Sequence, residues 1–197
     1  MNKKKLLLIG NGPIDVDISE KVSEFDYVLR INRMTNYATT KGKTDGLFIG
    51  AYHDYKYIYK GGEYKSHIKD IKDIYLTENL KNNFDNWGDF LTREQWENVK
   101  IMDFGSNMKN IGIPFPTTTI CVLNVLTSNP EWYKNYDIWV CGVTVNGRGK
   151  MMLNGKPWMK TNHRFEGDKE EEFLKKLLLE NKIKRLIPDI DDNFHNS

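Results

Sequence analysis

Pro116-Thr117-Thr118-Thr119 runs directly into the apolar stretch Ile120-Cys121-Val122-Leu123, and His163 stands just ahead of a segment that turns from acidic to apolar. A threonine run at a helix start offers hydroxyls and unsatisfied backbone amides, a pairing that suits a carboxylate or a phosphate. An imidazole close to a helix amino end is disfavoured as imidazolium and stays neutral, the form a general base needs. An anion site and a positioned base together read as a transferase site. His53, His67 and His195 lack any such setting.

Further groups add to this pair. Gly10-Asn11-Gly12-Pro13 follows an apolar run, where two glycines permit a sharp turn and close approach of a ligand to the backbone, and Asn11 adds an amide able to bridge a phosphate and a sugar hydroxyl. The pattern is neither Gly-x-Gly-x-x-Gly nor a lysine-bearing phosphate loop, which argues against those two nucleotide sites. Leu29-Arg30-Ile31-Asn32-Arg33 places Asn32 at the end of a second run, beside Asn11, with Arg30 and Arg33 read as surface charges. Trp139-Val140-Cys141-Gly142-Val143 closes another run on a glycine. The polar stretch after it, 144–162, holds Arg148, Lys150, Lys156 and Lys160 and reads as a basic lid able to neutralise a leaving phosphate. Cys/His spacing for a structural zinc is missing, and neither Asp15-Val16-Asp17 nor Asp189-Ile190-Asp191-Asp192 makes a convincing carboxylate pair, so no metal site is expected.

The elements that must hold these groups are legible as short β-type runs at 5–9, 27–31, 46–49, 71–76, 99–104, 137–141 and 184–187. Several are continuously apolar, which suits strands covered on both faces and therefore a mainly parallel sheet flanked by helices, the α/β class. Open sheets of this kind bind ligands at the carboxyl ends of their strands, where Gly10, Asn32 and Gly142 fall. Ile18, Val22 and Phe25 recur at helical spacing, and 116–128 forms a second helix. A third starts near Asp168, where Asp168 and Glu171 make a capping pattern and Phe173, Leu174, Leu177 and Leu178 line one face, with lysines closing the segment in accord with the helix dipole. Residues 52–110, rich in Tyr, Lys, Asn and Trp, read as an insertion or acceptor region, and 189–197 as a frayed tail.

At 197 residues the chain suits one domain, 1–197, large enough to bury roughly 70% of the surface its unfolded form exposes. Charged residues make up 28% and balance to a formal +2, so composition gives no nucleic-acid footprint. Two cysteines, both in apolar runs, argue for a reducing, cytoplasmic setting. The apolar run behind Met1-Asn2-Lys3-Lys4-Lys5 is four residues long, too short for a signal peptide, and nothing approaches the roughly 20 apolar residues of a spanning helix. The expected protein is soluble or at most peripheral to a membrane.

Taken in order, the motifs resemble those of the sialyltransferases, both the animal family with its sialylmotifs and the smaller bacterial family, over most of the chain outside about 52–110. Ile9-Gly10-Asn11-Gly12-Pro13 with Phe25-Asp26-Tyr27-Val28-Leu29-Arg30-Ile31-Asn32 is similar to the large nucleotide-binding motif. Pro116-Thr117-Thr118-Thr119 through Val140-Cys141-Gly142-Val143 resembles the small motif, and His163 with the helix after it resembles the last. The resemblance implies a single Rossmann-like domain with a small lid. It also implies a cytidine monophosphate-sialic acid donor, a glycan acceptor, inversion at the anomeric carbon and no cofactor. Carried over, Asn11, Gly12, Asn32 and Gly142 surround the donor's nucleotide and phosphate, Thr117 and Thr118 take the nucleotide or the sugar carboxylate, and His163 deprotonates the acceptor. Departures are specific: 144–162 contains no tyrosine, Phe115 replaces an arginine, Gly50 or Ala51 stands where an asparagine is usual, and Asp168 where a glutamate is. A related keto-sugar such as Kdo asks for the same site, and a nucleotide- or glycan-binding module without turnover is the competing class. Oligomeric state and acceptor identity are not legible.

Overall fold

Each of the seven β-type runs of the sequence contributes a strand. In this computed structural model, which describes residues 2–32, 34–50, 68–102, 104, 111–113, 116–143, 150–153, 156–160 and 167–187, the chain forms β1 (Lys4–Ile9), β2 (Tyr27–Ile31), β3 (Gly46–Ile49), β4 (Asp73–Leu76), β5 (Lys100–Ile101) and β6 (Tyr136–Cys141). A separate ribbon of β7 (Lys150–Leu153) and β8 (Lys156–Lys160) follows, then β9 (Lys184–Arg185). The main sheet has the order β5-β4-β3-β2-β1-β6-β9, and every pair in it is parallel. This is an α/β Rossmann-like sheet. The order runs outward from β1 to β5 on one side and resumes with β6 on the other, so the topological switch lies between β1 and β6.

Alternation along β1 explains why its run is continuously apolar: Leu6 and Leu8 pack on one face, Leu7 and Ile9 on the other, and all four are buried. The first face is covered by α4 (Thr118–Ser128) and α6 (Gly167–Leu179), through Ile120, Leu123, Leu174 and Leu177. The second is covered near β1 by Ile14, Ile18, Val22 and Phe25 around the one-turn α1 (Ser19–Val22). Farther out, Leu80, Phe84 and Leu91 lie over β3 and β4, from the segment carrying α2 (Glu78–Asn82) and α3 (Arg93–Glu97).

Three strands are shorter than expected, β9 among them, which ends at Arg185. β4 starts at Asp73 because Gln95, whose capping box with Thr92 opens α3, donates its Nε2 to the carbonyls of Ile68 and Ile71, each at 2.7 Å, and turns the chain away from the ladder before that point. β5 is a two-residue edge strand. Within the region read as an insertion, residues 68–102 therefore supply two strands of the main sheet. The helix expected at Asp168 starts one residue earlier, which leaves Asp168 in the first turn, and the Glu171–Lys175 pair at 2.6 Å follows the favourable acid-first order. The expected basic lid contains the antiparallel β7–β8 ribbon. Asn154-Gly155 between its strands is the strongest short hairpin signal in sequence, and it lies in the middle of the stretch read only as polar.

Candidate active site

The carboxyl end of β1 meets that of β6 at the switch point. Gly10 donates its amide to the Cys141 carbonyl at 2.9 Å, and Gly12 donates to the Gly142 carbonyl at 2.7 Å. Neither Gly10 nor Gly142 can carry a side chain there. A Cβ on Gly10 would stand 2.3 Å from the Gly142 oxygen, and one on Gly142, whose φ is +61°, would stand 2.8 Å from the Gly10 oxygen. The two glycines thus let two backbones close at the crevice where such sheets take their ligands.

The loop that leaves β2 ties this junction to the rest of the edge. Asn36, buried, donates Nδ2 to the carbonyls of Gly10 at 2.7 Å and Gly12 at 2.6 Å. Thr35 places Oγ1 3.1 Å from Asn11 Oδ1. Asn32 opens the loop in the left-handed region, φ +47°, which asparagine tolerates better than most residues. Its Oδ1 accepts from the Gly50 amide at 2.9 Å, and its Nδ2 reaches Thr118 Oγ1 at 3.4 Å. Asn11 and Asn32 therefore serve two ends of one loop, the first at the glycine junction and the second at the start of α4.

Thr117 caps α4, its Oγ1 accepting the Ile120 amide at 3.4 Å. Its own amide donates to Oε1 of Glu170, a buried carboxylate in the first turn of α6. A carboxylate at a helix amino end is stabilised by the dipole, so this contact locks the two helix starts together. At Gly50, one of the two positions where the resemblance expects an asparagine, space is short: a Cβ would lie 2.9 Å from Thr118 Cγ2 and 2.7 Å from the Phe48 ring.

Arg30 corrects the sequence reading. It is fully buried, donating Nε to Thr44 Oγ1 at 2.8 Å and Nη1 to Thr40 Oγ1 at 2.6 Å, with its Nη2 on the Thr40 carbonyl and its guanidinium 5.1 Å from the Tyr37 ring centroid. Thr40 Oγ1 in turn donates to the Asn36 carbonyl at 2.7 Å. Burial pulls the guanidinium down to about 10, which leaves it charged at neutral pH. Among the described residues it has no acid in ion-pair range, so a positive charge with neutral partners sits beneath the loop that borders the crevice. A charge inside a strand covered on both faces was the available signal. Thr35, Asn36 and Glu170 gave none, since polar residues in a loop and acids at a helix start are commonplace.

Of the residues expected at the site, Asn11, Gly12, Asn32, Thr117, Thr118 and Gly142 thus converge on the carboxyl edge. Lys150 and Lys160 occupy paired positions on β7 and β8, and Lys156 pairs with Leu153. His163, Arg148, Phe115 and Ala51 lie outside the described residues, as do the other three histidines and the acidic tail. The described residues contain no group of three or more His, Cys, Asp or Glu able to hold a metal. They also contain no helix long and apolar enough to cross a membrane.

Two solved structures are similar to this fold. A mammalian sialyltransferase in complex with Gal-β1-3GalNAc-ortho-nitrophenol superposes with a TM-score of 0.60 at 13% identity, over 93% of this chain and 69% of the other. The sialyltransferase CstII from Campylobacter jejuni, in complex with the substrate analogue cytidine-5'-monophosphate, gives 0.56 at 17% identity, over 97% and 83%. The fold is sialyltransferase-like. Neither a protein-family model nor a curated protein matches the chain. Both superpositions span nearly the whole of it, so the sialyltransferase-like frame extends into the described residues 68–102, within the region that the motif resemblance left out.

Proposed function

We propose that the protein is an inverting glycosyltransferase that moves sialic acid from its cytidine monophosphate-activated form to a hydroxyl of a glycan, without a metal ion. The observation that carries this reading is the joining of Asn32 and Thr118, through one loop, to the glycine junction at the β1–β6 switch point. It supplies close backbone approach, two side-chain amides and a helix amino end in one edge, the requirements of a nucleotide with a phosphate and a sugar carboxylate. The bound ligands of the two fold neighbours, cytidine-5'-monophosphate in one and Gal-β1-3GalNAc-ortho-nitrophenol in the other, support the same assignment.

In this scheme His163 takes the proton from the acceptor hydroxyl as its oxygen attacks the anomeric carbon from the face opposite cytidine monophosphate. The bond from that carbon to the phosphate oxygen breaks, and the electron pair leaves with the nucleotide. His163 is four residues ahead of Gly167 in sequence, a tether of at most about 14 Å from the helix whose first turn is fastened to Thr117 by Glu170. Lys150, Lys156 and Lys160, on the two strands of the ribbon, and Arg148 ahead of it in sequence are the cations assigned to the departing phosphate. The buried Arg30 adds positive potential under the crevice at short range.

One observation favours a binding module with the same fold: the Thr117 amide, one of the donors an anion would use, is already occupied by Glu170. His163→Ala separates the two readings. A transferase loses about a hundred- to ten-thousandfold in turnover with cytidine monophosphate affinity little changed. Wild-type protein that binds cytidine monophosphate but neither transfers nor hydrolyses the activated sugar would establish the module instead.

A further inference from the structure

At the amino end of the sheet, away from the crevice, the face beneath the carboxyl end of α4 and the one-turn α5 (Pro130–Tyr133) opens into a cavity of about 910 Å³. Its floor is polar although it lies on the apolar face of the sheet. Tyr27 donates its hydroxyl to Asp73 Oδ2 at 2.8 Å and lies 2.9 Å from the Tyr75 hydroxyl, while Lys100 pairs with Asp73 Oδ1 at 2.8 Å. Gly46 makes this floor possible, because a Cβ there would stand 2.5 Å from the Tyr27 oxygen. Burial pushes the phenols of Tyr27, Tyr75 and Tyr136 up, so all three remain neutral hydroxyls. Trp132 closes the aromatic wall, its ring centroid 6.1 Å from Tyr27, 6.0 Å from Tyr75 and 5.7 Å from Tyr136.

Aromatic faces interleaved with hydroxyls, a carboxylate and amides match a sugar, whose C–H faces stack on rings while its hydroxyls take in-plane hydrogen bonds. The lining adds a charge preference. It contains Lys3, Lys4, Lys100 and Lys134 against Asp73 and Glu131, an excess of two positive charges. Lys100 is neutralised by Asp73 and Lys3 donates its Nζ to the Tyr133 carbonyl at 2.7 Å, which leaves Lys4 and Lys134, both exposed, as the remaining lysines of the lining. The six residues of β1 separate Lys4, in the lining, from the glycine junction by about 20 Å, too far for one monosaccharide to span.

We infer that this cavity is a second, non-catalytic saccharide site that holds an acidic oligosaccharide at the end of the sheet opposite the crevice. The choice of a saccharide rests in part on the transferase reading above, since a site of this kind keeps a long acidic glycan on the protein between encounters with the crevice and raises its effective concentration there.

The test titrates 3′-sialyllactose and lactose into wild-type protein saturated with cytidine monophosphate, following Trp132 and the other tryptophans by fluorescence. Sialyllactose is expected to bind with the crevice filled, about three- to fivefold more tightly than lactose, a preference that shrinks at about 0.5 M salt. Trp132→Ala should weaken it about tenfold with cytidine monophosphate affinity unchanged. Lys4→Gln with Lys134→Gln, both on the exposed rim and harmless to folding, should erase the preference for the acidic sugar. Binding that cytidine monophosphate abolishes, or that neither variant alters, overturns the second site and leaves the transferase reading standing. Protein that binds sialyllactose through Trp132 yet never binds cytidine monophosphate keeps the site and removes that reading.

Discussion

Asn36→Ala tests whether one buried amide holds the glycine junction in place. The side chain is 5% exposed and donates to two carbonyls, those of Gly10 and Gly12, at 2.7 and 2.6 Å. Each bond contributes about 1 kcal/mol net, and a buried acceptor left without a partner adds a penalty of the same order, so the variant should lose about 2–4 kcal/mol. With a urea dependence of about 2 kcal/mol per molar, the unfolding midpoint moves down by about 1–2 M at constant slope. Asn36→Asp sharpens the test. A carboxylate cannot donate to the two oxygens, whereas its protonated form supplies one O–H, so the folded state holds the proton more tightly than the unfolded chain. The aspartate variant therefore starts nearer to wild type at acid pH and loses stability as pH rises from the unfolded carboxylate range, about 3.9, through its raised folded value. A loss below about 1 kcal/mol in the alanine variant, with an aspartate variant indifferent to pH, would show that water satisfies both carbonyls and that Asn36 does not hold the loop.

The remaining expectations are independent of that one. Gly142→Ala places a methyl 2.8 Å from the Gly10 oxygen at a positive φ and should cost about 2–4 kcal/mol, more than Gly112→Ala, which also has a positive φ, +67°, but open space around it; chemical denaturation of the pair isolates the clash. Burial pushes the Cys121 and Cys141 thiols up to about 12, so neither should react with a thiol reagent at pH 8 before unfolding. The same shifts make stability fall as pH rises above the unfolded thiol value, by roughly 2 kcal/mol per thiol at pH 10, because the folded state keeps protons the unfolded chain has released; a slope unchanged in the Cys121→Ala, Cys141→Ala double variant would refute this. Glu170→Gln retains an acceptor for the Thr117 amide but removes the charge at the α4 amino end, and should lower the thermal midpoint by an amount worth about 1 kcal/mol with turnover reduced more than nucleotide affinity. Thermal-shift screening should give a rise selective for cytidine nucleotides and indifferent to magnesium, and a uridine-selective, magnesium-dependent rise would overturn the donor assignment.

What could be read before folding, and what could not, divides along contact range. The inner strands of the main sheet were visible because an apolar run covered on both faces is a local pattern: Leu6, Leu7, Leu8 and Ile9 are adjacent in sequence and each is buried. Asn11, Asn32, Thr117 and Gly142 were visible for a related reason, since each follows an apolar run or opens one. The groups that fasten them together are defined only by partners far along the chain. Asn36 meets Gly10 across 26 residues, and Glu170 meets Thr117 across 53. No local pattern distinguishes that asparagine from any loop residue or that glutamate from any acid in a first helical turn. Arg30 is the exception, a charge inside an apolar strand whose burial could have been argued from the run around it. Sequence motifs thus located groups that gather at the carboxyl edge of the sheet, while the residues that set their spacing are those whose identity matters only once the sheet brings distant segments together. Those spacing residues are also where function should prove most sensitive to change without any contact with substrate. Arg30, three hydrogen bonds below the Gly10 and Gly12 carbonyls by way of Thr40 and Asn36, is the deepest of them.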